Sequence, residues 1–155
     1  MQDDNWVKPT QEELDQFQKN DVWKLVELPK GNKVVVAKWI FRNKQDKNCK
    51  VVRNKARLVA KRYSQQKGID YKETYEHVAH LEAIQILLSF GARSNIKLCQ
   101  MDVKSAFLNG LIQEEVYVEQ YLGFESDTLP YHVLKLNKAL YGLKQAPIAW
   151  YEKLS

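Results

Sequence analysis

Cysteine is nearly missing from this 155-residue sequence: Cys49 and Cys99 are the only two, far apart and in no CxxC spacing. That excludes a disulfide framework and gives no zinc-ligand pattern, and two isolated thiols suit a reducing, intracellular setting. Six glycines and four prolines are too few for collagen-like or low-complexity chains. No apolar run approaches the ~18 residues of a membrane span, and the N-terminus carries no signal-peptide apolar region. The reading is therefore an intracellular protein, cytoplasmic or nuclear, not secreted and with no membrane partner. No GxxxxGK[ST] stretch exists, which removes a P-loop. What remains is 45% hydrophobic and 28% charged, the profile of an ordinary globular core, with 24 basic against 19 acidic side chains and a net charge of +5.

That modest total hides a segregation. Residues 30–67 hold 13 basic side chains and one acid, Asp46, a local net of +12; the remainder carries 11 basic and 18 acidic side chains, a net of −7. A dense basic block inside a folded region points to phosphate backbones more strongly than an overall isoelectric point does. Within it, residues 51–63 read as a strand, with period-2 geometry placing Arg53, Lys55, Arg57 and Lys61 on one face and Ala56, Leu58 and Ala60 on the other. Residues 33–42 form a second strand, and the polar stretch 43–50 connects the two as a hairpin. Such a ribbon presents one cationic face that can grip phosphates without reading sequence.

Elsewhere, Thr10 followed by Glu13 is a capping-box signature for a short helix whose apolar stripe includes Leu14 and Phe17. Strands are expected at 23–28, 96–103, 116–119 and 132–136, with a turn at Pro29-Lys30-Gly31-Asn32. Residues 63–80 read as a loop. Residues 81–92 carry apolar side chains at helical spacing and predict a core-facing helix. Pro147 opens a last helix. Strands and helices without βαβ regularity indicate an α+β fold. His77 and His80, near Glu76 and Glu82, read as surface loop residues and not as a metal site, since their spacing is not that of a helical ligand pair.

The segment Gln100-Met101-Asp102-Val103-Lys104-Ser105-Ala106-Phe107-Leu108-Asn109-Gly110 holds the most chemistry. A carboxylate late in an apolar strand costs burial energy unless a cation or hydrogen bonds compensate it. Asp102 is thus either a magnesium ligand or the cap of the following turn.

With Trp23-Lys24-Leu25-Val26, Lys38-Trp39-Ile40-Phe41, Lys55-Ala56-Arg57-Leu58-Val59-Ala60-Lys61, Gly68-Ile69-Asp70-Tyr71 and Leu140-Tyr141-Gly142-Leu143-Lys144-Gln145-Ala146-Pro147, the chain resembles the reverse transcriptase domain of copia-type retrotransposon Pol polyproteins over nearly its whole length. The resemblance implies the fingers and an incomplete palm of a right-hand polymerase: a lead-in at 1–22, basic fingers at 23–80 and partial palm at 81–155. It implies RNA-directed DNA polymerisation with two Mg²⁺ ions, which clamp the attacking and leaving oxygens of an in-line displacement. Asp102, as catalytic residue, and the Val103 carbonyl would bind metal. Lys55, Arg57, Phe107, Tyr141, Gly142 and Lys144 would contact the incoming deoxynucleoside triphosphate, with Phe107 as a steric gate against the ribose 2′-hydroxyl. Arg53 and Lys61 would contact an RNA or DNA template-primer.

The resemblance also implies further carboxylates from a Tyr-x-Asp-Asp hairpin that this sequence does not contain, and thumb, connection and RNase H regions that are likewise missing. The expectation is a truncated fragment, inactive alone; the alternatives are a non-catalytic nucleic-acid-binding remnant or an inert domain fragment. Scattered departures, among them Arg62, Gln85, Tyr121, Ile148 and the 74–78 stretch, fit a decayed element copy.

Overall fold

A computed structural model describes residues 4–74, 80–121 and 125–155. The first helix, α1 (Asp4–Lys19), starts well before the expected capping box. Thr10 is no cap; it lies buried inside the helix and its hydroxyl donates to the Trp6 carbonyl at 2.7 Å. Pro9, also internal, lacks an N–H, which leaves the Asn5 carbonyl without its helical partner. That carbonyl instead accepts the Asn54 side-chain amide at 3.2 Å, so the proline ties α1 to a distant strand.

Four strands make the central sheet: β1 (Trp23–Val26), β2 (Val34–Val35), β5 (Tyr117–Val118) and β6 (Val133–Leu136), in the order β1-β6-β5-β2. β1–β6 and β6–β5 are antiparallel, while β5–β2 is parallel. A separate antiparallel ribbon pairs β3 (Ala37–Gln45) with β4 (Val51–Ala60). The single strand expected over 33–42 is therefore two. The chain leaves the central sheet after buried Val35 and enters the ribbon at Ala37; the Lys61 N–H reaches the Val36 carbonyl at 2.8 Å in between. The hairpin connection is shorter than expected. The Asp46 side chain closes it by accepting the Asn48 and Lys50 N–H groups at 2.8 and 3.0 Å. β4 ends at Ala60 and not at 63, giving way to a 3₁₀ turn at Arg62–Ser64.

The strand period holds where it matters. Ala56, Leu58 and Ala60 are buried, and Arg53 and Arg57 are exposed. The buried face joins Phe17 and Leu14 of α1 to Val35, Leu134 and Leu140 in one core. Tyr121 packs into it edge-to-face with Trp39 at 6.0 Å and tilted against Trp23 at 5.4 Å. Helix α3 (Ala146–Leu154) begins at the expected proline and packs on a 3₁₀ turn at Ala106–Asn109. There Gly110 leaves no room for a Cβ, which would fall 2.6 Å from the Ala149 carbonyl carbon.

Two expectations fail in the same stretch. No strand forms over 96–103, and Met101, Asp102 and Val103 are exposed. Helix α2 (Leu81–Arg93) forms as expected but does not face the core: Leu81, Ile84, Ile86, Leu87, Leu88 and Phe90 are all exposed. Helical periodicity reports a sided helix and says nothing of whether its partner is present. The 75–79 segment, with Glu76, His77 and most of the expected proline departure, lies outside the described residues.

Phe17 is 1% exposed, with its ring 4.4 Å from Trp23. Phe17→Ala should cost about 3–5 kcal/mol through lost transfer energy and a residual cavity. Chemical denaturation would show it as a lower midpoint with an unchanged slope.

Candidate nucleic-acid interface

The ribbon's register decides the chemistry of its outer face. Arg42 lies directly opposite Lys55, and Lys44 opposite Arg53, with Lys38 opposite Val59 and Ile40 opposite Arg57. Residues directly opposite share a face, and like charges there destabilise the pair. Six cations thus stand on one side of two strands. Burial and the neighbouring Arg57 hold the Lys55 ammonium below the ordinary lysine range.

From the Lys44–Lys55 region to Val59 the face becomes a groove of about 310 Å³. Arg42, Lys44, Lys55 and Arg57 line it over a floor of Ile40 and Val59, and Tyr141-Gly142 closes one side. The Arg57 guanidinium sits 5.0 Å above the Tyr141 ring, and Phe107 meets the same ring edge-on at 5.3 Å. Burial pushes the Tyr141 hydroxyl up; Arg57 pulls it down, Glu13 and Asp102 push it up again, and Ser105 hydrogen-bonds it. Asp102, the weakest of these influences, does not itself line the groove.

Gly142 makes this junction possible. Its φ is +89°, and a Cβ would lie 2.3 Å from the Ala60 carbonyl oxygen and 2.6 Å from Val59 Cγ1. Glycine alone accepts both the left-handed backbone and the close approach. The Ala60 N–H donates to the Tyr141 carbonyl at 2.7 Å, fixing the two segments together.

The remaining expected residues are placed differently. Lys144 does not line the groove; its ammonium donates to the Tyr71 hydroxyl at 2.7 Å and lies 4.4 Å from that ring's centroid. Arg53 pairs with Glu12 at 3.0 Å. Lys61 is half-buried beyond the end of the strand. Two residues central to the arrangement carried no site role in the sequence reading. Gln145 donates to the Asp70 carbonyl at 3.0 Å and accepts from Gln65 at 2.9 Å, while Gln65 also accepts the Lys144 N–H. This buried network anchors the segment after the ribbon to the start of α3. Its trace in the sequence was the pair of blocks around Asp70-Tyr71 and Lys144-Gln145.

Glu13 is the other omission. The carboxylate is 7% exposed, accepts the Leu58 N–H and leaves Oε1 without a partner among the described residues. Burial raises its pKa, opposed by Lys55, Arg57 and Lys104.

Among the described residues no three His, Cys, Asp or Glu side chains converge as a metal site. Asp102 with the Val103 carbonyl offers fewer oxygens than one Mg²⁺ takes, so a complete two-ion site does not fit these residues alone. No helix among them is long and apolar enough to cross a membrane.

A family model of reverse transcriptases (RNA-dependent DNA polymerases) matches residues 20–155. The chain is 50% identical over 147 residues to the retrovirus-related Pol polyprotein from transposon TNT 1-94 of Nicotiana tabacum, covering 95% of the chain and 11% of that protein. It is 41% and 40% identical over 155 residues to the Pol polyproteins from transposons RE2 and RE1 of Arabidopsis thaliana, again with 99% of the chain and 11% of each relative covered. The chain thus spans about one-ninth of the length of these relatives. No solved structure matches it.

Proposed function

The chain belongs to the reverse transcriptase family, as a segment of the kind found in transposon Pol polyproteins, and on that premise we propose that its cationic ribbon and groove hold the phosphates of a deoxynucleoside triphosphate and an RNA or DNA template-primer. The observation that carries this reading is the register that sets Arg42 against Lys55 and Lys44 against Arg53. Opposed cations are a standing cost in the free protein, and a polyanion laid across them removes it. Arg57 is suited to bidentate contact with a phosphate, and Lys55 to a point charge beside it. Tyr141, held by Arg57 and Phe107, gives the groove a rigid wall, and the Phe107 ring stands as a gate against a ribose 2′-hydroxyl.

In right-hand terms, 1–22 is a lead-in, 23–80 the fingers and 81–155 the opening part of a palm. The division is one of function and not of separate sheets, because β1 and β2 pair with β6 and β5. The exposed apolar side of α2 is the surface against which the rest of a palm would pack. Divalent metal ions serve the family; Asp102 and Val103 would supply part of one such site, and the chemistry of nucleotidyl transfer requires ligands beyond those described. With Asp102 and Val103 as its only proposed metal ligands among the described residues, the chain by itself is expected to grip polyanions without polymerising.

Titration of a fluorescein-labelled single strand with the whole chain tests this. Affinity should be weak, on the order of 10⁻⁵ M near physiological salt, indifferent to sequence, and steeply lower as salt rises. Absent or salt-insensitive binding leaves an inert fragment. Primer extension with Mg²⁺ and all four deoxynucleotides should give no product; incorporation abolished by Asp102→Asn would show a complete active site and refute the non-catalytic reading.

A further inference from the structure

The cationic ribbon is not left bare on its flank. Helix α1 lies outside the residues that match the reverse transcriptase family model, yet it runs along β4 and carries two adjacent acids to it. Glu12 Oε2 pairs with Arg53 at 3.0 Å, with both side chains about half exposed. Buried beside it, the Glu13 carboxylate takes the Leu58 N–H and lies within electrostatic reach of Lys55, Arg57 and Lys104. Between helix and strand is a cavity of about 140 Å³ whose walls include Glu12, Glu13, Arg53, Lys55 and Lys104. The Asn54–Asn5 hydrogen bond at 3.2 Å holds the helix in this position.

We propose that α1 is the built-in counter-anion of the cationic ribbon, its Glu12 and Glu13 neutralising part of β4's charge and so setting how tightly that face holds polyanions. The inference rests on the reading of the ribbon as a phosphate-binding face. A phosphate approaching Arg53 must displace the Glu12 carboxylate, so one of the ribbon's contacts is withheld until a strand competes for it. Glu13 cannot be displaced in the same way, because it is buried and holds a backbone N–H; it lowers the potential at Lys55 and Arg57 from the strand's flank. The two acids act by one principle at two depths: the cations that oppose one another across the ribbon are partly compensated in the free protein, and the compensation is subtracted from polyanion affinity.

The experiment uses the full chain with Glu12→Gln, Glu13→Gln and, as a control for overall charge, Asp127→Asn, which lies in the connection before β6 of the other sheet. Glutamine at 13 keeps an oxygen for the Leu58 N–H. The probe is a fluorescein-labelled oligo(dT) titrated over a range of salt, with inorganic triphosphate as competitor and thermal melting as a check on folding. Freeing Arg53 adds one phosphate contact, so Glu12→Gln should steepen the salt slope by about 0.7 and tighten binding roughly 5- to 10-fold at low salt. Glu13→Gln should tighten triphosphate competition in the same direction, and Asp127→Asn should do neither. Wild-type binding with both glutamine variants indistinguishable from Asp127→Asn, or weakened in folded protein, overturns the counter-anion alone. No binding by any of the four proteins overturns the phosphate-binding reading and the counter-anion with it.

Discussion

Gly142→Ala should lower the melting temperature by roughly 10 °C, the largest stability loss expected from any single change near the groove. The added methyl meets the Ala60 carbonyl oxygen at 2.3 Å and Val59 Cγ1 at 2.6 Å, and the backbone there sits at φ +89°. Holding a non-glycine residue in the left-handed region costs about 1–2 kcal/mol, and forcing atoms into a packed junction costs about 1–3 kcal/mol more. For a chain of this length each kcal/mol is worth ~2–4 °C. The obstacle is backbone, which cannot rotate away as a side-chain tip would. The strand end and the Tyr141 segment must therefore separate, breaking the 2.7 Å bond between the Ala60 N–H and the Tyr141 carbonyl. Because Tyr141 carries the contact to Arg57, the same variant should also weaken triphosphate binding. A melting temperature within 2 °C of wild type would show that the junction tolerates what its geometry forbids.

The Lys55→Ala, Arg57→Ala double variant should lose binding without losing stability. Removing two phosphate contacts lowers the salt slope on a single strand by about 1.4 and weakens binding at low salt on the order of 50-fold. Stability should change little, because the relief at Lys55 is offset by losing the cations that face buried Glu13 and the Arg57–Tyr141 contact. Lys55 stands opposite Arg42 and beside Arg57, and its pKa is held down by burial first and by Arg57 next. The sign follows directly: a lysine whose folded pKa is lowered favours its neutral form in the folded state, so its charge at neutral pH is a cost that alanine removes. Lys24→Ala, an exposed cation on β1 of the other sheet, serves as control. Equal losses from Lys24→Ala and the double variant would show that binding follows net charge and not the ribbon. A fall in melting temperature of the double variant would show that Lys55 and Arg57 support the fold.

Much of the ribbon was legible because a strand's two-residue period is a local rule. Residues 51–60 alternate in side-chain type, and once one face must be buried the other is exposed wherever the strand goes. The basic face, the hairpin and the α+β class follow from such rules. The family could be read as well, since several ordered blocks from Trp23 to Pro147 carry it. The start of α1 could not be read from Thr10-Glu13, because a capping signature also occurs inside helices. There Thr10 turns inward and Pro9 frees a carbonyl that a distant Asn54 satisfies. Nor could the break at Val36, where a continuous apolar run crosses from one sheet to another.

The largest misreadings share one cause. Helix α2 and the 96–103 stretch are apolar enough to predict burial, but burial needs a partner surface, and among the described residues none covers them. Glu13 was invisible for the converse reason: an acid near a helix start reads as a cap until the fold shows it buried beside β4, within electrostatic reach of Lys55 and Arg57.

By itself the amino-acid order determined the cationic strand, its alternation, the hairpin and the kinship with reverse transcriptases, because each is written in neighbouring residues. Only the tertiary structure decided which cations oppose one another, that Tyr141 stands between Arg57 and Phe107, and that α1 brings its acids to β4. Register and packing bring together residues tens of positions apart, and no local period encodes those distances.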